Sequence, residues 1–413
     1  MKNLLRRYEY QIRQLYKVGI IAVCIIAIYV GYITLQGNTQ ENIQARKLSP
    51  KLIEFGWDVP TPIFVKQNIQ QMEKRPFDGV AVKLSVGKQV FLHHPYDTQK
   101  LTEDLESLKS TKFTKFKDNF VVMWATTEEG WDWFSESDWK AAEQNIRLFA
   151  KAARAGRFAG ILFDPEPYGA NPWIYPKLPS AQEKSFEEYW QQVRKRGSQF
   201  MQVLQQELPG VKVLSLFQFS YLERFLEQPD DPKKRMHQLS TATYGLLASF
   251  LNGMLDVVQP NTRLIDGNEH SYYYTDSESF FAAYKLIKEK LLPFVDSKNI
   301  SKYDGQVQVG QAIYIDQLFA LRQPPEELLS YHLTPKERAK WLEHNMYYAL
   351  SSTDEYVWCY SEEMNWWKNN VPDGVEEAIR SALQKIDSKK PLDFNIEAMI
   401  QKARFMQKLK KIM

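Results

Sequence analysis

Eight short apolar runs, each followed by a stretch with helical spacing, constrain this chain more than any other feature. The runs lie at 52–57, 79–84, 120–124, 159–163, 211–219, 262–265, 307–315 and 356–360. Most are bounded by Gly, Pro, Asp or Asn, as strands are. Between them, residues 136–156 place Trp139, Ala142, Ile146, Phe149 and Ala153 close to one helical face. The stretch 185–208 stops at Pro209-Gly210, just before the fifth run. The stretches 277–294 and 334–351 behave alike, and Thr334-Pro-Lys-Glu337 supplies an N-cap, a proline at the first helical position and a capping-box glutamate. Eight strand–helix alternations within about 330 residues fit one α/β domain, a (β/α)8 TIM barrel. An open doubly wound sheet would use fewer strands, and no Gly-rich phosphate loop follows the first run.

Composition agrees with one large globular domain, or at most two: 413 residues, 44% hydrophobic and 25% charged. A net charge of +3 argues against a nucleic-acid partner. The charge is unevenly placed. Lys2, Arg6, Arg7, Arg13 and Lys17 stand against one acid, Glu9, and an uncharged apolar run follows at 18–35. At about 1.5 Å per residue this run nearly spans a bilayer core of roughly 30 Å. Its end, Ile33-Thr-Leu-Gln-Gly-Asn38, offers no small-x-small cleavage site, so an uncleaved signal anchor is expected rather than a signal peptide. The preceding positive charge keeps the N-terminus cytoplasmic. The expected organisation is a basic N-terminus (1–17), a transmembrane anchor (18–35), a tether (36–49), a barrel at 50–390 on the periplasmic or extracellular side, and a basic amphipathic helix (391–413). That last helix packs on the barrel or lies near anionic lipid.

Two cysteines, Cys24 and Cys359, lie far apart, one of them inside the apolar run, so no disulfide or cysteine metal site is expected. Six histidines include one adjacent pair, His93-His94, and no metal-binding spacing. No cofactor is implied.

Active sites of such barrels sit at the C-terminal strand ends, which selects the candidate residues. The fourth run ends Gly160-Ile-Leu-Phe-Asp164-Pro-Glu166-Pro-Tyr168-Gly169. Alternation along a strand puts Leu162, Asp164 and Glu166 on one side. Pro165 and Pro167 stop the ladder and stiffen the acids. Two adjacent carboxylates raise one pKa and keep a proton available near neutrality, which glycosidic bond hydrolysis needs on the leaving oxygen. The sixth run ends in Asp266-Gly-Asn-Glu269, offering two further acids. The eighth places Trp358, Tyr360 and Glu362 in one phase, an aromatic floor with an acid at its rim. Trp57 and Asp58 end the first run, Trp124 the third, and Gln311, Tyr314 and Asp316 mark the seventh. Eight of the 11 tryptophans (57, 124, 131, 133, 173, 358, 366 and 367) fall at strand ends or in the loops after them, a bias expected of a carbohydrate cleft.

The end of the fourth run resembles the D-x-E strand-four motif of chitinase-type TIM-barrel glycosidases. The resemblance implies Glu166 as the acid/base and Asp164 as its orienting partner. Upstream, Ala159 and Leu162 stand where that family carries aspartates, and Val121-Val-Met-Trp-Ala-Thr126 stands in place of its Ser-x-Gly-Gly. The expectation is therefore a TIM-barrel glycoside hydrolase acting on an oligo- or polysaccharide. Glu166 and Asp164 are catalytic. Glu269, Asp266 or Glu362 supplies a second carboxylate. Trp57, Asp58, Trp124, Tyr168, Tyr314, Trp358 and Glu362 line the substrate site. Two other readings stay open: a membrane-tethered, non-catalytic glycan-binding barrel, and a hydrolase using a hard metal held by Asp164, Glu166, Asp266 and Glu269.

Overall fold

Ten strands pair in one sheet, all through parallel ladders. They are β1 (Lys51–Glu54), β2 (Gly79–Val82), β3 (Gln89–Phe91), β4 (Phe120–Thr127), β5 (Gly160–Asp164), β6 (Lys212–Ser215), β7 (Arg263–Asp266), β8 (Val307–Val309), β9 (Gln311–Tyr314) and β10 (Tyr356–Tyr360). These make eight staves. The second is β2 continued by β3, both pairing with β4. The seventh is β8 and β9, interrupted only at Gly310. Its first half pairs with β7 and its second with β10, and β10 pairs with β1. The circuit therefore closes, and the expected (β/α)8 barrel is present. The computed structural model describes residues 49–226 and 231–412. The basic segment 1–17, the anchor 18–35 and nearly all of the tether lie outside these residues. Among the described residues, no helix is long and apolar enough to cross a membrane.

Parallel strands buried on both faces need a helix layer outside them. That layer comprises α1 (Pro62–Met72), α2 (Thr102–Ser110), α3 (Glu136–Gly156), α4 (Phe186–Glu207), α5 (Pro232–Thr241), α6 (Leu247–Val257), α7 (Ser277–Lys285), α8 (Ile300–Gln306), α9 (Ile315–Phe319), α10 (Pro335–Ser352), α11 (Val375–Asp387) and α12 (Glu397–Ile412). Helix α3 occupies the range expected from its spacing. Both long capping boxes form: Ser185 with Glu188 opens α4, and Thr334 with Glu337 opens α10.

Two expectations need correction. The fifth stave ends at Ser215 rather than running to 219, because Phe219–Phe225 coils into a 3-10 turn. The helix expected over 277–294 breaks after Lys285 into a π-turn at Leu286–Lys290 and a 3-10 turn at Leu292–Phe294. Helix α12 buries Ile400 and Ala403, with Ile396 buried just before it, and leaves Phe405, Met406 and Leu409 exposed.

Candidate active site

Register decides which strand-end residues look inward. Asp164 pairs with Trp124, in the phase of the inward pairs Val122–Leu162 and Leu162–Leu214. Asp266 pairs with Ser215, which pairs with Phe163. Phe163 packs against Phe200 of α4 and Phe250 of α6, so this phase faces the helix layer. One residue of register therefore separates a mouth acid from a structural one.

A cavity of about 310 Å³ opens at the C-terminal end of the staves, lined by Trp57, Lys88, Trp124, Asp164, Glu166, Tyr168, Glu269, Tyr272 and Tyr360 together with apolar side chains. On one wall the Tyr168 hydroxyl lies 2.9 Å from Asp164 Oδ2 and 2.6 Å from Glu166 Oε2. A phenol has one proton to donate, so two such contacts require a second proton on one of the carboxyls. Asp164 is the group that holds it. It is 1% exposed, and burial together with the neighbouring Glu166 pushes it up to about 8. Its other oxygen accepts the Glu166 N–H at 2.9 Å.

The loop carrying these groups is clamped. The Thr126 hydroxyl donates to the Glu166 carbonyl and accepts the Tyr168 N–H, and the Trp173 indole donates to the Pro165 carbonyl. Since neither proline nitrogen can donate, side chains of neighbouring elements replace the missing ladder.

Glu269 enters the cavity from the loop after β7. Burial, with Glu166 and Asp164 nearby, raises it to about 8 as well. Its position follows from two backbone features. A Cβ on Gly267 would sit 2.3 Å from the Ser215 carbonyl, so only glycine fits there, and Asn268 takes the left-handed conformation at φ 44°. The Gly267 carbonyl accepts the Trp358 indole N–H at 2.8 Å.

The structure thus brings Asp164, Glu166, Tyr168, Glu269, Trp57 and Trp124 to one cavity. Asp266 is not among them. Its carboxylate is fully buried in the helix-facing phase, taking the Ser220 N–H and hydroxyl and the Asn268 N–H. Asp58 accepts the Trp366 N–H and lies beside Glu54, so it braces a loop. Trp358 is buried beneath the floor, where it holds Gly267. Tyr314 supports Tyr272 and Tyr360 from below. Glu362 does not line the cavity but accepts the Tyr360 hydroxyl, which in turn accepts the Trp57 indole N–H.

The tryptophan bias has another cause than a cleft. Trp131, Trp133, Trp173, Trp358 and Trp366 are at most 2% exposed. Trp131, Trp133 and Trp173 pack with Phe91, Trp139 and Phe250 into an aromatic belt below the loops. Only Trp57, 71% exposed, presents an open indole at the cavity. Lys88 and Tyr272 were not legible as site residues. Lys88 sits in a turn inside the second stave, and Tyr272 in a Tyr-rich stretch that reads as packing. Among the described residues, no group of three or more His, Cys, Asp or Glu is arranged to hold a metal ion.

No family model and no curated protein matches this chain. Loosely similar solved structures include a GH18 chitinase from Pseudoalteromonas aurantia, at 12% identity and a TM-score of 0.36, covering 80% of this chain and 99% of that one. A GH5-4 broad-specificity endoglucanase from Clostridum cellulovorans gives 10% and 0.42, covering 84% and 96%. A glucosidase from Croceicoccus marinus gives 9% and 0.39, covering 83% and 68%. The superpositions are loose at these scores, and the barrel stands on its own strand pairing.

Proposed function

We propose that this protein is a glycoside hydrolase whose reaction is run by the carboxyls at the barrel mouth. The observation that carries the proposal is the Asp164–Tyr168–Glu166 hydrogen-bonded triple sharing an aromatic-walled cavity with Glu269. Glycosidic bond cleavage needs a proton for the leaving oxygen and a second carboxyl for the sugar carbon or its attacking water. Glu166, half-buried at the rim, is the acid/base. Asp164 keeps a proton at neutral pH, and the Tyr168 hydroxyl connects it to Glu166, so the acid is recharged from within the wall. Glu269 is the second carboxyl and acts on the sugar carbon or the attacking water in its ionised form, whose share grows as pH rises toward about 8. The three acids influence one another, so they titrate as a set rather than singly. Trp57 offers a flat apolar face on which a sugar ring stacks.

The test is Glu166→Gln, assayed by release of reducing ends from an oligosaccharide pool. Turnover should fall at least about 100-fold, the scale of general acid–base catalysis, while sugar binding persists. Full activity in the variant, or binding without cleavage by the wild type, rejects the hydrolase. The apolar run 18–35 belongs to the same proposal as a membrane anchor that holds the barrel outside the cytoplasm. A C-terminal reporter active only after export checks it.

A further inference from the structure

Lys88 is the cavity residue for which hydrolysis of a neutral sugar has no use. The second stave is interrupted to place it. Between β2 and β3 the chain turns through Leu84 and Gly87, which bridge each other. Gly87 has a φ of 133°, and a Cβ there would meet the Tyr96 hydroxyl at 2.7 Å. The Asp104 carboxylate holds the Ser85 N–H and hydroxyl. The Lys88 carbonyl then accepts the Trp124 N–H at 2.7 Å, and its ammonium lies 3.4 Å from the centre of the Trp124 ring. Backbone and side chain are both referenced to Trp124, so the cation is held rather than free to swing into solvent. Trp124 also packs on Tyr168, with ring centres 4.6 Å apart. That indole is therefore a mount for the ammonium and not an open plate for a sugar.

No carboxylate among the described residues lies within ion-pairing distance of Lys88. Burial lowers its pKa to about 8 and Lys83 repels it, while the attraction comes from Asp164, which keeps a proton at neutral pH. A half-buried ammonium without a counter-ion, facing a cavity, is stabilised by a ligand that brings an anion. Resting on the hydrolase reading above, we infer that Lys88 selects an acidic saccharide, one whose ring carries a carboxylate or a sulfate, and binds that group on the Trp124 side of the cleft.

The test uses oligosaccharide pools from uronate-containing and from sulfated polysaccharides. Each is used untreated and after carboxyl reduction or desulfation, which remove the charge and keep the linkages. Binding and cleavage are measured for the wild type, Lys88→Met and Lys88→Arg. The expected result is at least tenfold weaker binding and higher KM on the neutralised pool, and the same loss in Lys88→Met on the acidic pool. kcat should change little, Lys88→Arg should restore most of the affinity, and the difference should shrink with added salt. Whichever of carboxyl reduction or desulfation abolishes the preference identifies the anion. Equal handling of charged and neutralised pools, or an unchanged Lys88→Met, overturns the inference and leaves the hydrolase standing. Charge-selective binding with no cleavage overturns the hydrolase and leaves the acidic-glycan site standing. No binding and no cleavage of any pool overturns both.

Discussion

Tyr168 is the residue on which the proton inventory of the mouth depends. Its hydroxyl touches both Asp164 and Glu166, and burial beside two acids raises its own pKa, so it stays a phenol and acts as a bridge. Tyr168→Phe leaves the ring on Trp124 and removes only the oxygen. The expected result is a 10- to 100-fold lower kcat, roughly the smaller end of acid–base effects, with KM nearly unchanged and an altered alkaline limb of the pH–rate profile. An unchanged profile would show that Glu166 is charged directly from solvent. At this scale Asp164, Glu166 and Tyr168 were legible, because two acids flanked by prolines at a strand end have few other uses. Asp266 was not, since its residue type and place suggest a site and only its register sends it to Ser220.

Among the elements, the connections carry the chemistry and the staves carry the positions. The loop after β7 reaches the cavity because Gly267 runs so close to the Ser215 carbonyl that an added Cβ would lie 2.3 Å from its oxygen, and because Asn268 turns left-handed. Gly267→Ala cannot keep this path. We expect displacement of Glu269, a loss of kcat/KM of at least about tenfold, and destabilisation of roughly 1–3 kcal/mol from the forced shift. Kinetics and a melting curve on the same protein check it. A variant with wild-type kinetics would place Glu269 outside the reaction. Helix α3 and the capping box of Thr334 and Glu337 were readable in advance because caps and periodicity are local signals. The interruption of the second stave was not, because β3 is defined only by its pairing with β4.

The whole molecule stores carboxyls that hold their protons against neutral pH. Burial raises Asp164 and Glu269 to about 8, and it also raises Glu54 and Asp58. Each has a folded pKa above its unfolded value near 4. The folded state therefore binds more protons than the unfolded one above about pH 4, and the stability that Asp164 and Glu269 contribute is complete below about pH 4 and lost as pH rises through about 8, while Glu54 and Asp58 act in the same direction. The melting temperature should fall from pH 6 to pH 9 more steeply than surface charge alone dictates. Asp164→Asn, neutral at every pH, should flatten that fall and raise the melting temperature at pH 8 by about 2–4 °C per kcal/mol recovered, while abolishing activity. A slope unaffected by the variant would mean that Asp164 ionises without cost.

The sequence by itself determined the alternation of strand and helix, the helix caps, and the one motif whose acids and prolines leave little freedom, because each of these is set by neighbours along the chain. Only the tertiary structure decided that the seventh stave closes the barrel across Gly310, that Glu269 rather than Asp266 reaches the mouth, that five rim tryptophans are packing, and that Lys88 stands on Trp124 beside the acids. Those outcomes depend on strand register and on contacts between residues far apart in sequence, where a shift of one position exchanges the barrel interior for the helix layer.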